Sequence, residues 1–146
     1  MNPKMKIAFW LYLPAIVLFG VSGVVYLLRT EFMPYHAVAV GMAWADVDPN
    51  FQILLIGGIR ILGAALISTA AAMGIILFIP FRQGMAWARW SIPALGLIAG
   101  LPALHVTISV TVNTPATAPW MGIVVFLALL GAGFAMSFQD EPSPPT

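Results

Sequence analysis

The chain has 146 residues, of which 61% are apolar and only 8% charged, with a formal net charge of +1 and no cysteine. Ordinary soluble domains are roughly a quarter charged, so this composition excludes a fold that must clothe its surface with ions. A small net charge without a basic block excludes nucleic acid as a partner, and the missing cysteines exclude disulfides, thiolate catalysis and cysteine-based metal sites.

Four apolar stretches reach the roughly 20 residues that a helix needs to cross a hydrocarbon core. Each is continuously apolar, without the alternation of a barrel strand. The predicted fold class is all-α integral membrane: a four-transmembrane-helix bundle with a long outer loop between helices 1 and 2, in one domain over residues 1–138. The first span is Ile7 to Leu28. It is longer than the apolar region of a signal peptide, about 7 to 15 residues, and no small-x-small cleavage site directly follows Leu28, so it reads as a retained span.

The outer loop is "RTEFMPYHAVAVGMAWADVDPN", residues 29–50. Loops of this length are usually functional or disordered. Its middle, Ala37 to Ala45, is too apolar for disorder and too short to span, which predicts a short helix in the interface or folded over the bundle mouth. Asp48 and Pro49 predict an N-cap and first helical position. "DVDPN" imitates the start of a calcium loop, but Phe51 stands where that loop needs Gly and Gly57 where it needs Glu, which excludes the motif.

The second span, Phe51 to Ile79, carries a single charged residue, Arg60. An Arg at a helix centre costs about 2.5 to 3.5 kcal/mol to insert, whereas each central Leu, Ile or Phe returns about 0.3 to 0.6. The span holds fifteen Leu, Ile and Phe residues, so it inserts despite the Arg. The third span, Trp87 to Val112, contains His105, and the fourth runs from Pro119 to Phe138. The polar, proline-rich "QDEPSPPT", residues 139–146, reads as a disordered cytoplasmic tail.

Lys4, Lys6, Arg82 and Arg89 lie at the N-terminus and second loop, against Arg29 alone in the first loop and no basic residue in the third. By the positive-inside rule both termini face the cytoplasm. Counted along the helices, Arg60 and His105 then lie at similar depths on the outer side, about 13 and 12 Å from the ends of their spans.

No span contains Asp or Glu, so a same-chain anionic partner for Arg60 must be Glu31, Asp46 or Asp48 from the loop. Arg60, Ala64, Ser68 and Ala72 share a face of small residues, which points it into the bundle or a subunit contact. Gly96 and Gly100, and Ala128 and Ala132, make similar four-residue spacings. The candidate ligand-binding residues are Arg60, His105, His36, Tyr35 and Glu31. Each has a plainer reading: Arg60 as a pin for the first loop or a snorkelling cation, His105 as an interhelical hydrogen bond, His36 as a cap. No paired histidine or Glu-x-x-His spacing indicates a metal, and no nucleophile elbow, P-loop or dinucleotide fingerprint indicates catalysis.

The four-span layout and the Arg60-Ile61-Leu62-Gly63 stretch resemble small bacterial inner-membrane proteins of the kind called DoxX-like. The resemblance implies architecture and a bacterial plasma membrane and brings no chemistry. The expected function is that of a non-catalytic accessory, assembly or scaffold subunit in the lipid bilayer, self-associating or docked to a larger membrane complex. The alternative is a binder or carrier of an anionic, lipid-like or quinone-like amphiphile at an outer-leaflet site around Arg60, with His105 as its hydrogen-bonding partner. A multidrug-type cation exchanger is disfavoured because such carriers usually need an acidic residue in the membrane. No cofactor is expected beyond a bound quinone or lipid.

Overall fold

The computed structural model describes residues 2–138; the sequence-predicted tail at 139–146 lies outside them. Helices are α1 (Pro3–Leu27), α2 (Pro34–Val40), α3 (Pro49–Ile76, continued by a wider π-type turn over Leu77–Phe81), α4 (Ala86–Asn113) and α5 (Trp120–Ser137). Among the described residues there is no strand. α1, α3, α4 and α5 are long and apolar enough to cross a membrane, the architecture of a multi-pass membrane protein.

Local chemistry sets the ends. Pro3 opens α1 behind Asn2, whose side chain accepts the Met5 N–H at 2.7 Å. Pro49 opens α3 behind Asp48, whose Oδ1 accepts the N–H groups of Asn50 at 2.9 Å and Phe51 at 3.2 Å. These oxygens satisfy amide donors that no helical carbonyl can reach. α2 starts at Pro34 and stops where Gly41 turns left-handed at φ 65°, with the Met42 N–H returned to the Ala37 carbonyl. The short helix thus lies over 34–40, earlier than the expected Ala37 to Ala45. Proline fixes its start and glycine its stop, and these outweigh the apolar run.

Neighbouring spans run antiparallel. Gly23 and Leu27 of α1 meet Gly63 of α3, while Phe9 meets Phe78. Phe19 of α1 stacks on Phe126 of α5 with centroids 4.6 Å apart, and Tyr12 lies against Gly133. Gly96 and Gly100 of α4 receive Phe126, Leu127 and Leu130 of α5. α1 therefore sits between α3 and α5, and α4 packs chiefly on α5.

The buried stripe of α1, Met5, Ala8, Tyr12, Ala15 and Phe19, alternates spacings of three and four, the pattern of a helix seam. The core is concentrated toward the end carrying the N-terminus, with Met73, Leu77, Phe81, Ala88 and Ile92 closing it. Between lipid-solvated helices, burial supplies no large hydrophobic gain; close packing and hydrogen bonds hold the spans together. This is why glycines occupy the contacts. Toward the opposite end, where residues 28–48 and 114–119 connect the spans, neither α3 before Gly63 nor α4 beyond Gly100 has a buried residue.

Six serine and threonine hydroxyls of the spans bond within their own helix. Ser22, Ser68, Thr69, Ser91, Thr107 and Thr111 each donate to the carbonyl four residues earlier, at 2.8–3.0 Å. Such bonds remove most of the cost of placing a hydroxyl in hydrocarbon.

Candidate functional site

The connection between α1 and α3 folds on itself as aromatic and polar contacts. Tyr35 of α2 lies 4.2 Å from the His36 ring and 3.2 Å, hydroxyl to hydroxyl, from Tyr26 of α1. Burial is the main cause pushing the Tyr35 phenol well above its ordinary range, and the Tyr26 hydroxyl adds to it. The Met33 N–H donates to His36 Nδ1 at 3.3 Å, and burial lowers the His36 imidazole below its ordinary value. Phe32 sits between His36 and Trp44, with centroids 6.3 and 5.0 Å away. Phe32, Met33 and Val47 are buried, so the segment has a small core of its own.

Beside it lies a groove of about 460 Å³. Thr30 and Trp44 of the connection form one wall, and Gln52, Ile53, Ile56, Gly57 and Arg60 of α3 form the other. The size falls within the 300 to 1,000 Å³ typical of small-molecule sites. Gln52 Nε2 donates to the Trp44 carbonyl at 2.7 Å and so ties the two walls together. Arg60 is exposed and has no hydrogen bond or ion pair among the described residues. Glu31, Asp46 and Asp48 are exposed as well, and Asp48 is occupied in capping α3. None of the three carboxylates pins the guanidinium.

Helix length sharpens the depth of Arg60. The span Pro49–Phe81 has 33 residues, about 50 Å at helical rise, against a hydrocarbon thickness of about 30 Å. An evenly shared surplus of about 10 Å at each end leaves Arg60 about 7 Å inside the core boundary. An arginine side chain reaches that far, so from that depth the guanidinium can meet headgroup oxygens without a protein partner.

Of the two placements expected for the Arg60 face, the bundle interior or a subunit contact, the first is not met. Arg60, Ala64 and Ser68 are exposed, whereas Gly63, Ala70 and Met73 are buried. The close approach of α1 at Gly63 sets the rotation of α3, and Arg60 lies about 140° around the helix from Met73. Of the two other small-residue spacings, Gly96 and Gly100 do receive a neighbouring helix, and Ala128 and Ala132 are exposed.

His105 is exposed too, on the side of α4 about 180° from Gly96 and therefore away from α5. It does not line the Arg60 groove, nor another of about 280 Å³ formed by Ile108, Thr111, Val112 and Trp120. The structure thus joins Tyr35 with His36, sets Arg60 in a separate groove next to the Thr30–Glu31 corner, and leaves His105 apart from both. Thr30, Trp44 and Gln52 are groove residues that sequence reasoning did not single out. Gln52 offered a signal, as the only uncharged polar side chain between Phe51 and Arg60. No group of three or more His, Asp or Glu residues among the described residues is arranged to hold a metal ion.

No family model, curated protein or solved structure matches this chain. The functional reading therefore stands on the groove itself. Chemically, the groove offers a cation with five donors, the Gln52 Oε1, the Thr30 hydroxyl and an indole, beside the apolar side chains of Ile53 and Ile56. The donors of Arg60 and Thr30 can meet anionic or carbonyl oxygens.

Proposed function

We propose that the protein binds an amphiphile with an anionic or carbonyl-bearing head, a lipid or a quinone-like molecule, in the groove beneath Trp44. Arg60 holds the head, and the tail runs from it into the hydrocarbon core, away from the connection. The single observation that carries this reading is the unpaired Arg60 lining a groove walled by the connection. Intramembrane arginines normally have a partner, and the open positions around this one point toward the groove and headgroups. In this proposal the protein lies in a bacterial plasma membrane with both termini cytoplasmic, as Lys4, Lys6, Arg82 and Arg89 suggest. The long connection then faces outward, and the groove opens into the outer leaflet.

Purified protein in nanodiscs with and without anionic phospholipid, compared by native mass spectrometry with Arg60→Ala, tests the reading. Retained lipid or quinone should fall sharply in the variant, and Arg60→Lys should recover only part because it cannot make a planar bidentate contact. Equal retention by a normally folded Arg60→Ala protein overturns it.

A second reading, a non-catalytic accessory or assembly subunit, rests on a different observation. Small residues at Ala64 and Ser68, and at Ala128 and Ala132, lie on the outside of the bundle, where a foreign helix could approach closely. Native purification that yields a stoichiometric second protein supports this reading, and its absence counts against it.

A further inference from the structure

The groove beside Arg60 is polarised along its length. Gln52, Ile56 and Arg60 follow one another at four-residue spacing on the wall that α3 provides. Gln52 stands in the first turns of α3, beside the connection, and Arg60 lies about 12 Å further along the helix. Each Cα–Cβ bond of a helix tilts toward its N-terminus, so the Arg60 stem leans back toward Gln52 and shortens that gap. Between them is Gly57, where an added methyl would meet nothing within 4 Å. The middle of the groove is therefore open space.

The two ends differ in charge. One holds Arg60, a cation that only donates and has no partner among the described residues. At the other, Gln52 commits its Nε2 to the Trp44 carbonyl, which leaves Oε1 as an acceptor without a donor. All three Asp and Glu residues among those described belong to the connection. Glu31 follows Thr30 of the groove wall, Asp46 shares a short turn with Trp44, and Asp48 caps α3 one turn before Gln52. Arg29 is the one cation in that segment. A head that carries negative charge alone would satisfy Arg60 and be repelled at the connection.

Building on the amphiphile reading above, we propose that the occupant is a zwitterionic phospholipid with a primary ammonium, a phosphoethanolamine head. Arg60 takes the phosphodiester, and the acyl chains run from there into the hydrocarbon core. The ammonium extends toward the connection, where Gln52 Oε1 and the carboxylates accept its hydrogens. In such a head the phosphate adjoins the glycerol and the ammonium forms the tip, which is the order of the partners along the groove. A primary ammonium brings three N–H donors. A choline head brings a cation with none, a glycerol head brings hydroxyls without a cation, and a quinone brings neither charge.

The test uses nanodiscs that hold equal parts of three phospholipids with the same acyl chains and ethanolamine, choline or glycerol heads. After release into mild detergent, native mass spectrometry reads which lipid the protein keeps, since the three masses differ. The ethanolamine lipid should be retained about threefold to fivefold over each of the others, the upper scale of one exposed ion pair. Glu31→Gln combined with Asp46→Asn should level that preference; both residues are exposed, so folding is not at stake. Arg60→Ala should lower all three lipids together. Equal retention of ethanolamine and choline lipids, a preference for the glycerol lipid, or an ethanolamine preference that survives the double substitution overturns the proposal. In each of those cases a loss of lipid in Arg60→Ala still upholds the amphiphile reading, whereas no loss in Arg60→Ala overturns both.

Discussion

Gly63 of α3 lies backbone to backbone against Gly23 of α1: a side chain begun at Gly63 would meet the Gly23 carbonyl oxygen at 2.8 Å and the backbone of Leu27 closer still. The neighbour in this contact is main chain, which cannot turn aside as a flexible side chain can. The crossing fixes how α3 is rotated, and with it the direction of Arg60.

Gly63→Val should therefore destabilise the protein by about 1 to 3 kcal/mol, the usual cost of overpacking, and should re-aim Arg60. Gly57→Ala, where an added methyl meets nothing within 4 Å, is the matched control. Thermal unfolding in detergent, read by circular dichroism, checks both; equal midpoints would contradict the assigned crossing.

Tyr12 is fully buried, and its hydroxyl makes no hydrogen bond of regular geometry. Its polar neighbour Ser137 instead donates to the Phe134 carbonyl at 2.7 Å. Tyr12→Phe should thus leave stability unchanged or raise it by up to about 1 kcal/mol, because an unsatisfied buried hydroxyl is removed. Tyr12→Ala, which empties the space between Phe81 and Gly133, should cost about 3 to 5 kcal/mol. A large loss in the Phe variant, measured by the same melts, would show that the hydroxyl is bonded after all.

His36 gives the connection a pH dependence. Burial lowers its pKa below the ordinary 6.5, so the unfolded segment binds a proton more readily than the folded one. Stability of the segment then rises with pH and is lost as pH falls from 6.5 through the lowered value. Protonation also removes the Nδ1 acceptor for the Met33 N–H. Protection factors at residues 33–40, taken relative to intrinsic amide exchange at each pH, should fall between pH 7.5 and 5.5, and His36→Gln should flatten that dependence.

Asp48 and Gln52 hold the groove wall from two directions. Asp48→Ala removes the α3 cap and should cost about 1 kcal/mol. Gln52→Leu breaks the bond to the Trp44 carbonyl and should release the indole. Trp44 has a neighbour in Phe32 that would keep part of the wall in place. With the other tryptophans replaced by Phe, fluorescence should shift to the red in Gln52→Leu; an unchanged spectrum would mean that Phe32 alone positions Trp44.

Much of this fold was legible as composition and punctuation. Continuous apolar runs predicted the four long helices, and Asp48–Pro49 predicted the start of α3, because span length and cap chemistry are local. Helix rotation was not legible. Gly63 and Ala64 are adjacent small residues, and only the position of α1 decides that the first faces inward and the second outward. The same limit governs the candidate site. Similar depths for Arg60 and His105 follow from counting, whereas their separate faces follow from contacts made by Gly63 and Gly96, tens of residues away from their partners in sequence.

The arrangement of neighbours also bears on biosynthesis. α1 emerges before the other three spans, yet Tyr12 and Phe19 of its inward stripe wait for α5, and the Gly96 face of α4 waits for the same helix. Until Trp120–Ser137 has left the ribosome, Tyr12, Phe19 and Gly100 must rest against lipid or an insertion factor. The shortest span is thus the keystone: it is made after the helices it joins, and the bundle cannot close before it arrives.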